Sequence, residues 1–325
     1  MQVDKNMINE KCKKKKIIVV VGPTSSGKTS LAVKLAEHFN GEIISADSRQ
    51  VYIGMDLGTG KEGDSVSINL PDLGPQSARV IHGIPQFLID VATPLETYTV
   101  ADFQKQALTL IDNFANRGKI PIIVGGTNLY IQALVEGFSI PVTDQRELTI
   151  RQELELLPSG EILDKLKVLD QVSFEKINHQ NLRRIIRALS VTMATSIPFS
   201  YQQKKSGSNF DTIYFGNDLP RQELYQKIDK RVDDRIGNGM IEEVQSLIDS
   251  GIPKERLISF GLEYRYITLY LTNEIPSKEE MIEKLKYAIH AYARRQLTWL
   301  KNRTPVIWVK NEHQAISQTA KFLAK

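Results

Sequence analysis

Short, nearly unbroken apolar runs alternate with stretches of helical periodicity through the first 140 residues. Residues 17–21 (IIVVV) read as a strand buried on both faces, because a parallel sheet covered by helices shows no polar alternation. Residues 29–39 follow as a helix, with Leu31, Ala32, Leu35, Ala36 and Phe39 on one side and a stop at Asn40-Gly41. Strands are expected at 42–45 and 87–91. Thr99, with Asp102 three residues on, forms a capping box that opens a helix bearing Phe103, Ala107, Leu110, Ile111 and Phe114 and closing at Gly118. A strand at 120–124 and a helix at 128–135 come next. Residues 59–86, rich in Gly, Pro, Ser and Asp, read as a long loop at the working edge of the sheet.

From 140 to 206 strand character disappears, and the chain becomes helical, charged and arginine-bearing before a polar break at 204–208. It returns at 212–215 and 306–309, with helices expected over 219–249 and 278–301. The expected fold is α/β: a parallel sheet flanked by helices over 16–139 and 207–325, with an all-helical insertion at 140–206 and a flexible basic tail at 1–15. No internal repeat is visible.

Composition narrows this picture only a little. Cys12 is the single cysteine, which excludes an internal disulfide framework and points to a reducing, cytoplasmic setting. The basic run 11–16 is followed by too short an apolar stretch to be a secretory signal. No segment approaches the roughly 20 apolar residues of a membrane-spanning helix. A net charge of +4 is compatible with a polyanionic partner but selects none.

The strongest chemical signal is Gly22-Pro23-Thr24-Ser25-Ser26-Gly27-Lys28-Thr29, a glycine, four residues, then Gly-Lys-Thr, between the first strand and the first helix. Such a P-loop, the hallmark of a P-loop NTPase-like core, turns backbone N–H groups and a helix N-terminus toward phosphate. Lys28 supplies charge there, and the Thr29 hydroxyl a ligand for Mg²⁺. The motif specifies a di- or triphosphate without saying which molecule carries it. Asp47-Ser48-Arg49-Gln50 follows the second strand at the carboxyl end of the sheet, where Asp47 is either a proton acceptor or a turn aspartate. Gly125-Gly126-Thr127 follows another core strand, with Thr127 either facing a ligand or capping the next helix. Asp90 resembles the strand-end acid that holds Mg²⁺ in phosphate-loop NTPases, but a plain strand-end aspartate explains it better. His82, His179 and His290 stand singly, without zinc spacing. Tyr292 and Trp299 read as core.

Four motifs in register, GPTSSGKTSLAVKLA, ISADSRQVYIGMDLGTGK, IPIIVGGTNLYIQALVEG and ARRQLTWL, make the chain similar to the tRNA dimethylallyltransferase (tRNA isopentenyltransferase) family over nearly its whole length. The resemblance implies transfer of a dimethylallyl group from dimethylallyl diphosphate to N6 of the adenosine immediately 3′ of the anticodon, position 37, by a monomeric enzyme using Mg²⁺ and the anticodon arm of tRNA. It implies that residues 24–29 hold the donor pyrophosphate and that Asp47 is the general base. It gives Thr127 an orienting role and Arg231 a place on pyrophosphate; taken bare, Arg231 reads as a surface ion pair beside Asp234. It implies tRNA contacts from Asp47, Ser48, Arg49, Gln50, Thr127, Arg151, Arg183, Arg184, Arg187, Tyr264, Arg265, Arg294 and Arg295.

The chain departs from the family pattern in three places. Residues 177–181 read Ile-Asn-His-Gln-Asn where the family has Ile-His-Pro-Asn-Asp. The family's Gly-Tyr element is replaced by Phe260-Gly261-Leu262-Glu263-Tyr264-Arg265, and its Gly-Thr-Ala-Lys by Gly58-Thr59-Gly60-Lys61. Competing readings are a nucleotide or small-molecule kinase with an arginine-bearing lid, a transferase acting on free adenine nucleotides, and a GTPase-like switch. A kinase needs neither the 47–50 nor the 125–127 motif, the arginine helix favours tRNA over free nucleotides, and no Asn-Lys-x-Asp element supports guanine recognition.

Overall fold

The computed structural model describes residues 14–138, 144–202 and 207–325. The basic tail expected at 1–15 lies outside them apart from Lys14 and Lys15, as do Cys12, residues 140–143 of the expected insertion and residues 204–206 of the polar break. The chain divides into two compact units, one made of the chain through Ile131 and from Asn209 onward, the other of Gln132–Ser208.

The first unit opens with β1 (Lys15–Val21), α1 (Lys28–Phe39) and β2 (Gly41–Ser45). The apolar runs in β1 and β2 are wholly buried, as strands covered on both faces must be. Residues 59–86, expected as loop, instead carry β3 (Asp64–Leu70), β4 (Gly74–Ile81) and β5 (Ile84–Phe87). β3 alternates Val66, Ile68 and Leu70 with Ser65, Ser67 and Asn69, a period-two pattern that the surrounding turn residues obscure. β4 and β5 join through His82-Gly83, both at positive φ, a two-residue hairpin turn. β5 stops at Phe87, so the strand expected at 87–91 is displaced: Leu88 and Asp90 adopt left-handed backbone.

α2 (Val100–Asn116) begins at the expected capping box, with Asp102 N–H donating to the Thr99 hydroxyl at 3.2 Å and Thr99 N–H donating to the Asp102 carboxylate at 2.8 Å. β6 (Ile120–Gly125) and α3 (Asn128–Glu136) follow. The helical unit then contributes α4 (Gln145–Glu155), α5 (Ser159–Leu169), α6 (Gln171–Lys176), α7 (Leu182–Thr195) and α8 (Phe199–Gln202) around a core of Leu154, Ile162, Leu166, Ile185 and Leu189.

β7 (Phe210–Asn217) returns to the sheet. The helix expected over 219–249 breaks at Asn238-Gly239 into α9 (Arg221–Gly237) and α10 (Met240–Asp249). α11 (Lys254–Ser259), α12 (Leu262–Leu271) and α13 (Lys278–Arg303) pack with them on Val51, Tyr52 and Met55 in one apolar cluster. β8 (Val306–Val309) and α14 (Glu312–Leu323) complete the unit. The sheet order is β3-β4-β5-β2-β6-β1-β7-β8, parallel from β5 to β8 with the β3-β4 ribbon antiparallel at one edge. Among the described residues no helix is long and apolar enough to cross a membrane.

Candidate active site

β2, β6 and β1 are neighbours in the sheet, so the segments that leave their carboxyl ends emerge side by side. That edge is where open α/β sheets bind ligands. A cleft of about 320 Å³ lies there, and Thr24, Lys28, Thr29, Asp47, Thr127 and Arg231 all line it.

The phosphate loop is folded back on itself. Lys28 Nζ donates to the Pro23 carbonyl at 2.7 Å, and Asn217, at the end of β7, donates from Nδ2 to the Ser26 carbonyl at 2.7 Å. The Ser26 hydroxyl is buried with no hydrogen-bond partner among the described residues. Burial lowers the Lys28 pKa to about 8; Asp47 opposes that shift and Arg231 adds to it. Its charge is therefore retained at neutral pH and lost more readily in mild alkali than that of an ordinary lysine.

Asp47 forms a turn at the mouth of the cleft. Its Oδ1 accepts the Arg49 N–H at 2.9 Å, closing an aspartate turn, and the residue still lines the cleft. The turn is held by Thr127, whose hydroxyl accepts the Ser48 N–H at 3.0 Å and donates to the Ser48 hydroxyl at 3.3 Å. The Thr127 hydroxyl is thus engaged with the Asp47 turn, while its carbonyl accepts the Tyr130 and Ile131 N–H groups at the start of α3. This register needs glycine at 125, where a Cβ would stand 2.1 Å from the Ala46 carbonyl oxygen.

Gln296 joins the two motifs. Its Oε1 accepts the Thr24 N–H at 3.1 Å and its Nε2 donates to the Gly126 carbonyl at 3.1 Å. It lies in ARRQLTWL, but the adjacent Arg294 and Arg295 drew attention in the sequence; both are exposed, while Gln296 faces inward. Tyr292, expected in the core, is 41% exposed and lines the cleft one turn before Gln296, so that expectation is corrected.

The opposite wall is built by α9 and the 56–61 loop. Arg231 is not the surface ion pair of the bare reading: Asp234 pairs with Lys230, and Arg231 Nη2 reaches the Gly60 carbonyl at 3.4 Å. The Glu243 carboxylate accepts the backbone N–H groups of Asp56, Leu57 and Gly58 at 2.9, 2.7 and 3.0 Å. Tyr264 completes this nest by donating its hydroxyl to Glu243 at 2.7 Å. Tyr264 is 1% exposed, and burial together with Glu243 holds its phenol far above the ordinary range. Tyr264 thus braces the loop while lining the cleft, whereas Arg265 beside it is exposed.

Beneath the loop, Lys61 is fully buried and donates to Asp56 at 2.9 Å and to Asp90, while Arg79 donates to both carboxylates at 2.8 Å. Asp90 is thus spent on two cations, in keeping with its plain structural reading. Gln50 braces the same loop, accepting from the Ser45 hydroxyl at 2.9 Å and donating to the Gly60 carbonyl at 3.3 Å. Ser48 and Arg49 line the cleft beside it. In the helical unit, Arg183 and Arg184 are exposed at the start of α7, while Arg151 and Arg187 close on Glu147 at 2.7 and 2.8 Å.

A family model described as IPP transferase matches residues 50–303, and one described as isopentenyl transferase matches residues 15–67. The tRNA dimethylallyltransferase of Thermomicrobium roseum is 40% identical over 299 residues, 91% of this chain and 86% of that protein. The crystal structure of a tRNA delta(2)-isopentenylpyrophosphate transferase from Staphylococcus epidermidis aligns with a TM-score of 0.65 at 34% identity, covering 96% of this chain and 99% of that one. A eukaryotic dimethylallyltransferase acting on tRNA aligns with a TM-score of 0.77 at 26% identity, over 95% of this chain and 80% of that one. With a phosphate loop and an acidic turn converging on one cleft, and with matches that span almost its full length, the chain belongs to the IPP transferase family, whose relatives are tRNA dimethylallyltransferases.

Proposed function

We propose that this chain transfers the dimethylallyl group of dimethylallyl diphosphate to N6 of adenosine 37 in tRNA, releasing pyrophosphate. The observation that carries the reading is the convergence of Lys28, Asp47 and Arg231 on one cleft. An adenine amine is a weak nucleophile because its lone pair is delocalised into the ring, so a positioned base is required. Asp47, held by Arg49 N–H and by the Thr127–Ser48 bonds, takes the N6 proton as the new C–N bond forms. As the allylic C–O bond breaks, charge accumulates on pyrophosphate, and Lys28, Arg231 and the loop N–H groups stabilise it. Thr127 acts through the turn that it holds, as a positioning residue.

The donor set fits Mg²⁺ carried in with the diphosphate. Among the described residues no cluster of His, Cys, Asp or Glu forms a metal cage, and the Thr29 hydroxyl at the cleft is a single hard ligand, which suits an ion that keeps phosphate oxygens and water around it. When bound, Mg²⁺ neutralises diphosphate charge. The exposed Arg183, Arg184, Arg265, Arg294 and Arg295 are the candidates for contacting tRNA phosphates. A free-nucleotide acceptor shares the same cleft chemistry, so the deciding experiment offers labelled dimethylallyl diphosphate with either tRNA or AMP. Label in tRNA is the expected result; label in AMP alone rejects it, and ATP turnover without prenylation favours a kinase.

A further inference from the structure

Two segments of the cleft wall meet on one guanidinium. The first is Gly60, in Gly58-Thr59-Gly60-Lys61. Gly60 has a φ of +66°, and a Cβ built there would lie 1.5 Å from Arg235 Nη2 and 2.2 Å from Arg231 Nη2. Both guanidinia lie against the bare backbone of the glycine. A side chain at position 60 leaves Arg235 no room in this position. The second is Leu262-Glu263-Tyr264, which brings Glu263 Oε1 to 3.7 Å from Arg235 Nη1.

Arg235 lies one helical turn beyond Arg231 on α9, so the two project from the same face, and both line the cleft with Lys28. The Arg235 side chain is 12% exposed. Its Nη2 is buried and has no hydrogen-bond partner among the described residues, although a guanidinium offers five donors. Nor does Glu263 satisfy it, because 3.7 Å exceeds the span of a charge-assisted hydrogen bond. Burial, and then the neighbouring Arg231, bring the Arg235 pKa down to about 10, with Glu263 opposing them. Arg235 is therefore a cation at neutral pH, crowded by a second cation and short of acceptors. An anion with several oxygens relieves both conditions.

We propose that Arg235 is a second guanidinium for the diphosphate of the prenyl donor, admitted by the glycine at 60 and counterpoised by Glu263. This rests on the cleft being the donor site. A purely structural Arg235–Glu263 brace is the competing account, and the two differ in the sign of what Glu263 does. If Glu263 only holds Arg235 in place, removing its charge loosens the site and weakens anion binding. If it offsets a ligand-seeking cation, removing its charge strengthens binding.

The test is calorimetric titration of the full chain with inorganic pyrophosphate and Mg²⁺, each variant first shown by circular dichroism to be folded. Arg235→Met/Glu263→Gln, which leaves no unpaired buried charge, is expected to bind about tenfold to a hundredfold more weakly, the worth of a charge-assisted hydrogen bond. Glu263→Gln alone is expected to tighten binding. Gly60→Ala, by displacing both guanidinia, is expected to weaken binding at least as much as Arg235→Met does, and to weaken it further in the Arg235→Met background, because the added Cβ also meets Arg231. The KM for dimethylallyl diphosphate should follow these changes and that for tRNA should not. Wild-type pyrophosphate affinity in the doubly substituted chain, or weaker binding in Glu263→Gln, overturns the proposal. Pyrophosphate binding is read without transfer, so a chain that binds it through Arg235 yet prenylates no RNA overturns the reaction and supports the anion site.

Discussion

Two arginine pairs in this molecule, one gathered from two helices and one set a turn apart on a single helix, have opposite surroundings. In the helical unit, Arg151 and Arg187 converge on Glu147, whose side chain is 1% exposed and also accepts from the Ser190 hydroxyl. Burial alone would raise the Glu147 pKa, but the hydrogen bonds from Ser190 and the two arginines outweigh it and hold the carboxyl below its ordinary value. In the cleft, among the described residues, Arg231 and Arg235 have only the Gly60 carbonyl at 3.4 Å and Glu263 at 3.7 Å. Glu263 itself is pushed upward by burial, which Arg235 only partly offsets. Residue type alone does not separate an arginine whose charge is matched from one that is short of partners. The completeness of its carboxylate partner does.

The largest test of this contrast is whether chemistry resides in the cleft at all. Asp47→Ala is expected to lower the rate of prenyl transfer by at least about a hundredfold while tRNA affinity, measured by filter binding, stays near wild type; near-normal turnover would assign the base elsewhere. Next in size, Glu147→Ala should destabilise the helical unit by about 2 kcal/mol, less than a fully buried pair would lose, because Arg151 and Arg187 can reach solvent. Calorimetric unfolding checks it. The contribution of Glu147 exists above the ordinary carboxylate pKa and disappears as pH falls through its lowered folded value, so wild type and variant should converge in acid.

A smaller effect is expected from pH. Lys28 titrates near 8 in the free protein, so pyrophosphate affinity should decline above that pH, approaching about tenfold per unit, and Lys28→Arg should flatten the profile. The smallest effect sharpens the comparison within the helical unit. Replacing exposed Arg183 and Arg184 together by alanine should weaken tRNA binding several-fold and lower its salt dependence by about 1 to 2 phosphate contacts, whereas Arg151→Ala, whose charge Glu147 already neutralises, should change affinity by less than about twofold. Equal losses in both variants would erase the distinction.

Several features were legible because they depend on neighbours in sequence. The buried strands, the capping box at Thr99 and the phosphate loop between a strand and a helix are local patterns, and the structure has each of them. The β3-β4-β5 ribbon was also written locally, in the alternation of Val66, Ile68 and Leu70, but frequent turn residues masked it. α11, α12 and α14 went unread because short helices draw their stability from the surface they cover more than from their own periodicity. Gln296, Glu243 and Arg235 carry no local mark of their partners, which lie 170 or more residues away except for Tyr264 and Glu263.

By itself the sequence determined that a phosphate cradle, an acidic turn and a glycine-rich turn each follow a buried parallel strand, since periodicity and loop chemistry act over a few residues. Only the tertiary structure decided that those three strands are neighbours, that Thr127 serves the Asp47 turn, and that Tyr264 is a buried brace. It also separated the neutralised Arg151 and Arg187 from the under-partnered Arg231 and Arg235. The physical reason is that burial and counter-charge belong to side chains brought together across the fold, and an ionised group changes its behaviour with its surroundings far more than with its place in the chain.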